Sequence, residues 1–288
     1  MALKGREGAE RTIEVALEGV RWQLLREGRG PVLLALHGTG SSRHSFRSLL
    51  PHLTPRFTVL APDLPGHGGS RTDPSFTPTL PGIARALGAL LAHLGDRPTA
   101  ALGHSAGAAI AARMALDGSI DPALLVGVAA ALVPFRGLAK AVLPVSARIL
   151  AAPAAARLLA TRVGRAETVA RLLEGLGTEL DEEGIERYRR LAASPDHLAG
   201  VLAMLAAWDL EPLFRDLPRL APPVLLISGE RDRAVPIDQQ QAVLGRLRAG
   251  RLVTIPATGH LVHEERPAEV AAAIEGELTS MQEPVQGS

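Results

Sequence analysis

Residues 99–116 read "TAALGHSAGAAIAARMAL", and the reading of this stretch decides the fold. An apolar run enters, Gly103-His104-Ser105-Ala106-Gly107 interrupts it, and small apolar residues continue with helical spacing. A strand arriving, a helix leaving and glycine on both flanks of a serine is the pattern of a nucleophile elbow, where only glycine leaves room for the turn that exposes the hydroxyl. The bland alternative is that glycine and alanine merely let a helix pack closely. G-x-S-x-G is a loose pattern in a chain with 29 glycines, so the rest of the sequence has to decide.

Working outward, short unbroken apolar runs recur at 31–37 ("PVLLALH"), 57–63 ("FTVLAPD"), 124–130 ("LLVGVAA"), 223–229 ("PVLLISG") and 252–258 ("LVTIPAT"). Such runs suit strands buried on both faces of a parallel sheet. Helix-like segments, among them 75–95, separate most of them, which predicts an α/β fold: a mostly parallel twisted sheet with helices on both faces. Residues 12–27 differ, because Ile13, Val15 and Leu17 before Gly19, and Val20, Trp22 and Leu24 after it, alternate with polar neighbours. That alternation predicts an antiparallel pair.

From 134 to 221 the patterns are helical with no convincing strand, so the chain divides into a core of residues 1–133 and 222–288 and a helical cap (lid) inserted at 134–221. Within the cap, Ser194 and Pro195 read as a helix N-cap and a first-turn proline, followed by Leu198, Val201, Leu202, Leu205 and Trp208 on one helical face. The tail from Thr279 reads as a frayed end.

The 288 residues are 47% hydrophobic and 21% charged with a net charge of +1, which describes a globular chain and offers no overall attraction to nucleic acid. Without cysteine there is no disulfide, thiolate metal site or thiol nucleophile. The N-terminus lacks the apolar core of a signal peptide, and no uncharged apolar run reaches the roughly 18 residues of a membrane span. A cytoplasmic protein is expected, with peripheral membrane contact left open.

A serine hydroxyl is a weak nucleophile near neutral pH and needs a base, a group that orients the base, and donors for the developing oxyanion. The sequence supplies a candidate for each at a strand end. Asp232 lies just beyond the run at 223–229, with Glu230 and Asp238 as competitors and a surface loop acid as the plain alternative. His260 follows the last strand in "PATGHLVHEERP", with His263 as its competitor. In "LHGTGSS" the amide of Thr39 can join that of Ala106 as an oxyanion hole. The rival there is a phosphate-binding loop, but neither the third glycine nor a Walker lysine follows. The chain order Ser105, Asp232, His260 is that of an α/β-hydrolase triad.

Other constellations carry less. Asp63, His67 and Gly68 in "APDLPGHGGS" are expected to fix a turn beside the site. His37, His67, His104 and His260 are scattered through the sequence, so neither a metal nor another cofactor is expected. Serine at the elbow argues against an aspartate-nucleophile epoxide or haloalkane hydrolase, and Tyr188 is the only tyrosine, so no pair exists to activate an epoxide. His197 reads as a polar first-turn residue, with ligation of a porphyrin magnesium as its sharper alternative.

Across nearly its full length the chain resembles the α/β hydrolase superfamily, on "LHGTGSS", "APDLPGHG", "GHSAG", "SGERDRAVP" and "TGHLVHEERP". More narrowly, "HGTGSSRHSFRSLLPHL", "GHSAGAAIAARMALDG", "ALVPFRG" and "HLAGVLAMLAAWDL" are similar to the magnesium chelatase accessory group (BchO type) encoded with bacteriochlorophyll biosynthesis. That resemblance implies a role in photosynthetic pigment synthesis near magnesium insertion, with contact with magnesium chelatase, but does not supply the molecular activity; the serine site adds the expectation of a small apolar ester substrate, such as a tetrapyrrole ester. A non-catalytic tetrapyrrole-binding accessory protein and a general carboxylesterase or perhydrolase-like enzyme stay open beside the ester hydrolase. Lastly, residues 134–166 hold Arg136, Lys140, Arg148, Arg157, Arg162 and Arg165 and no Asp or Glu. This is either a solvated helix face or a surface for tetrapyrrole propionates or anionic lipid.

Overall fold

The computed structural model describes residues 12–135 and 137–282, with the side chains of 137–143 and 282 outside the description. The expected antiparallel pair is β1 (Thr12–Leu17) and β2 (Val20–Gly28). Glu18 and Gly19 join them at φ 53° and 70°, the left-handed pair that matches the twist of a tight hairpin. Then follow β3 (Val32–Leu36), α1 (Leu50–Leu53), β4 (Thr58–Pro62), the short β5 (Arg71–Thr72), α2 (Leu80–Leu94), β6 (Pro98–His104), α3 (Ala106–Leu116) and β7 (Leu124–Val128). Six helices come next without a strand among the described residues: α4 (Gly137–Leu150), α5 (Pro153–Val163), α6 (Ala166–Gly175), α7 (Glu182–Ala192), α8 (Pro195–Ala206) and α9 (Glu211–Asp216). The chain then returns through β8 (Val224–Gly229), α10 (Ile237–Leu244), β9 (Gly250–Ile255), α11 (Val262–Glu265) and α12 (Pro267–Gln282).

One sheet runs β1-β2-β4-β3-β6-β7-β8-β9, parallel from β4 onward, with β5 added antiparallel to β2. The apolar runs are unbroken because both faces are covered. Leu34 and Leu36 of β3 pack into the core formed with α2 and α3, whereas Leu33 and Ala35 pack into the core shared with α1 and α12. Leu225 and Ile227 of β8 alternate with Leu226 in the same way. Every crossover thus ends with its strand's carboxyl end on the same edge, the place where α/β sheets bind ligands.

Three local expectations change. The helix expected from Ser75 begins only at Leu80, because Pro78 disfavours helical geometry at Thr77; Thr79 Oγ1 caps it by accepting from Gly82 N at 3.1 Å. The helix begun by Ser194 and Pro195 ends at Ala206, so Trp208 lies beyond it, buried in the core rather than on the helical face. Helix α12 runs through Gln282, and the remainder of the tail lies outside the described residues. No single helix among the described residues is long and apolar enough to cross a membrane.

Candidate active site

Ser105 stands between β6 and α3 with φ 51° and ψ −117°, a conformation that costs a non-glycine residue about 1–3 kcal/mol. The flanking glycines make this turn possible. A Cβ on Gly103 would lie 2.3 Å from Ala108 N, and one on Gly107 would lie 2.1 Å from the Leu36 carbonyl oxygen. The alanine-rich face of α3 lets that helix sit directly on the sheet, so the two opening readings of the stretch describe one device. Gly38, at the end of β3, continues the logic: its missing side chain would meet Ser105 Cβ at 3.0 Å. Residues 37–40 are thereby held against the serine, and neither the Thr39 nor the Ala106 amide donates a backbone hydrogen bond among the described residues.

Asp232 follows β8 and His260 follows β9, and the structure brings them together: the His260 Nδ1–H donates to Asp232 Oδ2 at 2.9 Å. The other carboxylate oxygen accepts from Ala234 N at 2.8 Å and Val235 N at 2.9 Å, so the acid is fixed before it meets the imidazole. The competitors fall elsewhere. Glu230 accepts from Ala257 N at 2.9 Å in the turn before His260, and Asp238 lines the cavity. His263 is fully buried against Phe46 and His104.

The histidine loop has to fold back across β8 and β7 toward β6, and close backbone approaches hold it there. A Cβ on Gly229 would touch Gly259 O at 2.2 Å, and one on Gly259 would touch the Gly177 carbonyl at 2.2 Å. Glu265 Oε1 accepts from Gly259 N at 3.0 Å, Thr178 Oγ1 accepts from Leu261 N at 3.0 Å, and the His104 Nε2–H donates to His260 O at 3.0 Å. Thr178, from the helical segment, is therefore part of the histidine loop's support.

The turn at 63–70 behaves as expected, with one partner the sequence reading missed. Asp63 is wholly buried and accepts from Arg43 N at 2.7 Å, from the Arg43 guanidinium and from Gly69 N at 2.7 Å. The signal was available, because an aspartate inside "VLAPDLPG" demands a cation. The histidines were misread as scattered. His37, His67 and His197 form one group with ring centroids 5.3 and 5.5 Å apart, and His104 lies 4.9 and 4.4 Å from His260 and His263.

His197 serves as a clasp: its Nδ1 accepts from Gly68 N at 3.0 Å, and its Nε2–H donates to Gly40 O at 3.3 Å. Both nitrogens are thus engaged by the loops beside Ser105. Burial away from water lowers His197 and His37 to about 3, keeping both rings neutral, and the nearness of His67 to each adds to the effect. Tyr188, which has no second tyrosine to pair with, belongs to α7. It donates to Glu264 Oε1 at 2.6 Å and lies 3.2 Å from Ser41 Oγ, linking α7 to the loop that carries Thr39. Burial pushes Glu264 up to about 7.

Two cavities meet at this edge. The larger, about 560 Å³, is lined by Thr39, Ser105, Ala106 and His260 together with Phe135, Trp208 and Val235. The smaller, about 270 Å³ and mostly apolar, shares Thr39 and His260 and is walled by Leu172, Leu173, Val201 and Tyr188.

A parallel sheet with helices on both faces, an elbow serine at its carboxyl edge and a histidine returning on an aspartate define a protein of the α/β hydrolase class. The sequence agrees: the pattern of the alpha/beta hydrolase family matches residues 32–273, and the chain belongs to that family. It is similar to the magnesium-chelatase 30 kDa subunit of Rhodobacter capsulatus, 43% identical over 248 residues and covering 85% of this chain and 86% of that protein. The pimeloyl-[acyl-carrier protein] methyl ester esterase of Methylococcus capsulatus is 31% identical over 255 residues, covering 84% of this chain and 94% of that protein. Among solved structures, the epoxide hydrolase CorEH superposes with a TM-score of 0.80 at 22% identity, covering 95% of this chain and all of that one, which is a likeness of fold.

Proposed function

We propose that the protein is a serine hydrolase of ester bonds that acts in bacteriochlorophyll biosynthesis near the magnesium chelatase step. The observation that carries the chemistry is the Asp232–His260 hydrogen bond at a cavity that also holds Ser105. His260 Nε2 takes the proton of Ser105 as its oxygen attacks the carbonyl, and Asp232 keeps the Nδ1 tautomer and steadies the imidazolium. The amides of Thr39 and Ala106 receive the oxyanion. The alcohol leaves with the proton from His260, and water attacks the acyl-serine by the reverse proton path. Ser105 and Ala106 line only the larger cavity, which suits the acyl part, while the smaller apolar cavity reaches His260 and suits the leaving alcohol. Helices α4 to α9 act as the cap that closes both. The larger cavity falls within the roughly 300–1,000 Å³ range that encloses drug-sized ligands. The assignment to pigment synthesis rests on the similarity to the Rhodobacter protein.

That same similarity favours one second reading, a tetrapyrrole-binding accessory protein that keeps the site without using it. Labelling by a serine-directed phosphonate, combined with Ser105→Ala in a pigment-producing host, separates the two. Catalysis requires labelling at Ser105 in the wild type and loss of pigment in the variant. Full pigment from Ser105→Ala overturns it in favour of the accessory protein.

A further inference from the structure

In α5 and in residues 144–150 of α4, alanines are buried while bulky aliphatic side chains stand in solvent. Helix α5 buries Ala156 and Ala160 and leaves Leu158 57% exposed; α4 buries Ala147 and leaves Val145 and Ile149 exposed by 61% and 66%. A helix of a globular protein ordinarily turns its bulky aliphatics to the core and its small or polar residues outward. Val145, Arg148 and Ile149 share one face by their spacing, as do Leu158 and Arg162 on α5, and Arg157 and Arg165 flank them.

The arginines differ equally from their neighbours. On α7, Arg187 pairs with Glu183 at 2.9 Å and Arg189 with Glu186 at 2.5 Å. Among the described residues, Arg148, Arg157, Arg162 and Arg165 have no carboxylate partner, and the chain from 134 to 166 contains none to offer. Leu172 of α6, 57% exposed, extends the apolar surface and also walls the smaller cavity.

We propose that this face of α4, α5 and α6 docks on an anionic lipid bilayer. Exposed aliphatics interleaved with unpaired arginines fit the boundary of acyl chains and acidic headgroups. A second copy of the same face would bring like charges together, so the pattern opposes self-pairing. The proposal goes beyond the hydrolase reading and stands independently of it.

Flotation of the full chain with vesicles tests it. Vesicles containing phosphatidylglycerol should carry the protein up, pure phosphatidylcholine should not, and binding should weaken as salt rises. An arginine near an acidic surface is worth about 1 kcal/mol, or roughly fivefold. Arg162→Gln should therefore weaken binding about fivefold, and joint neutralisation of Arg148, Arg157, Arg162 and Arg165 by about 100-fold or more. Ile149→Ser with Leu158→Ser should also release the protein, and Ser105→Ala should bind as the wild type does. Because the arginine, Ile149 and Leu158 side chains are exposed, an unchanged melting curve checks that each of those variants is folded. Equal binding to both vesicle types, unchanged binding after neutralising the four arginines, or dimerisation through this face would overturn the proposal.

Discussion

The loops around Ser105 and the helices α4 and α5 solve opposite problems. Around the serine the packing is close: glycines at 103, 107, 229 and 259 bring backbones into contact, Gly38 makes room for the His104 and Ser105 side chains, and Asp63 is enclosed by Arg43 and the Gly69 amide. On α4 and α5, Val145, Ile149 and Leu158 point outward and Arg148, Arg157 and Arg162 lack acids. Packing that excludes water fixes atoms to within a few tenths of an ångström and costs dearly when disturbed. A surface with nothing packed on it tolerates change in the isolated chain and registers it only when a partner covers it.

The comparison breaks most visibly at the acid. Asp232→Asn keeps the shape but lets the side-chain amide face His260 Nδ1, favouring the wrong tautomer. If the proposed chemistry holds, kcat for a soluble ester should fall about 10⁴-fold with little change in KM. At the turn, Asp63→Asn leaves the Arg43 charge buried without its counterion, and urea titration should show a loss of about 3–5 kcal/mol. If that variant matches wild-type stability, the buried pair is not what holds the loop beside Thr39.

The third test uses pH. His37, His197 and His263 are lowered by burial to about 3 and His67 to about 4, so below pH 6.5 the unfolded chain binds protons that the folded chain refuses. Stability is therefore lost as pH falls from 6.5, each ring contributing a slope of up to about 1.4 kcal/mol per pH unit. Glu264 works in the other direction: raised from 4.5 to about 7, its contribution is complete below pH 4.5 and is lost as pH rises to 7. Glu264→Gln removes the buried charge while keeping an acceptor for Tyr188. It should stabilise the protein by about 1–3 kcal/mol at pH 8 and by little at pH 4.5, measured by urea denaturation at both values. The smallest effect belongs to the other region: Leu158→Ser should change stability by less than about 0.5 kcal/mol, although the same change at a core leucine would cost several times more.

Legibility followed the same division. The strands were readable because sheet packing on both faces demands unbroken apolar runs, and Gly103, Gly107 and Gly259 marked turns where any Cβ would collide. Ser105, Asp232, His260, Thr39 and Ala106 are candidates legible in the sequence because each sits where a parallel strand ends, which is a property of local sequence. The structure then gathered all five around one site, Asp232 through its bond to His260 and the other four in the lining of one cavity. Arg43, Tyr188, Glu264 and His197 were missed or passed over because each acts through a partner 20 or more positions away, and no local pattern encodes that pairing. The helix start shifted to Leu80 because a cap and prolines, not hydrophobic spacing, set it.

By itself, then, the sequence determined the α/β order of elements, the elbow and the three strand-end loops, since burial periodicity and glycine sterics act between near neighbours in the chain. The tertiary structure alone decided that the histidines collect into two clusters, and that Arg148, Ile149, Arg157, Leu158 and Arg162 of α4 and α5 face outward. Those outcomes depend on which surfaces meet in three dimensions, and the spacing of residues along a chain carries no record of that.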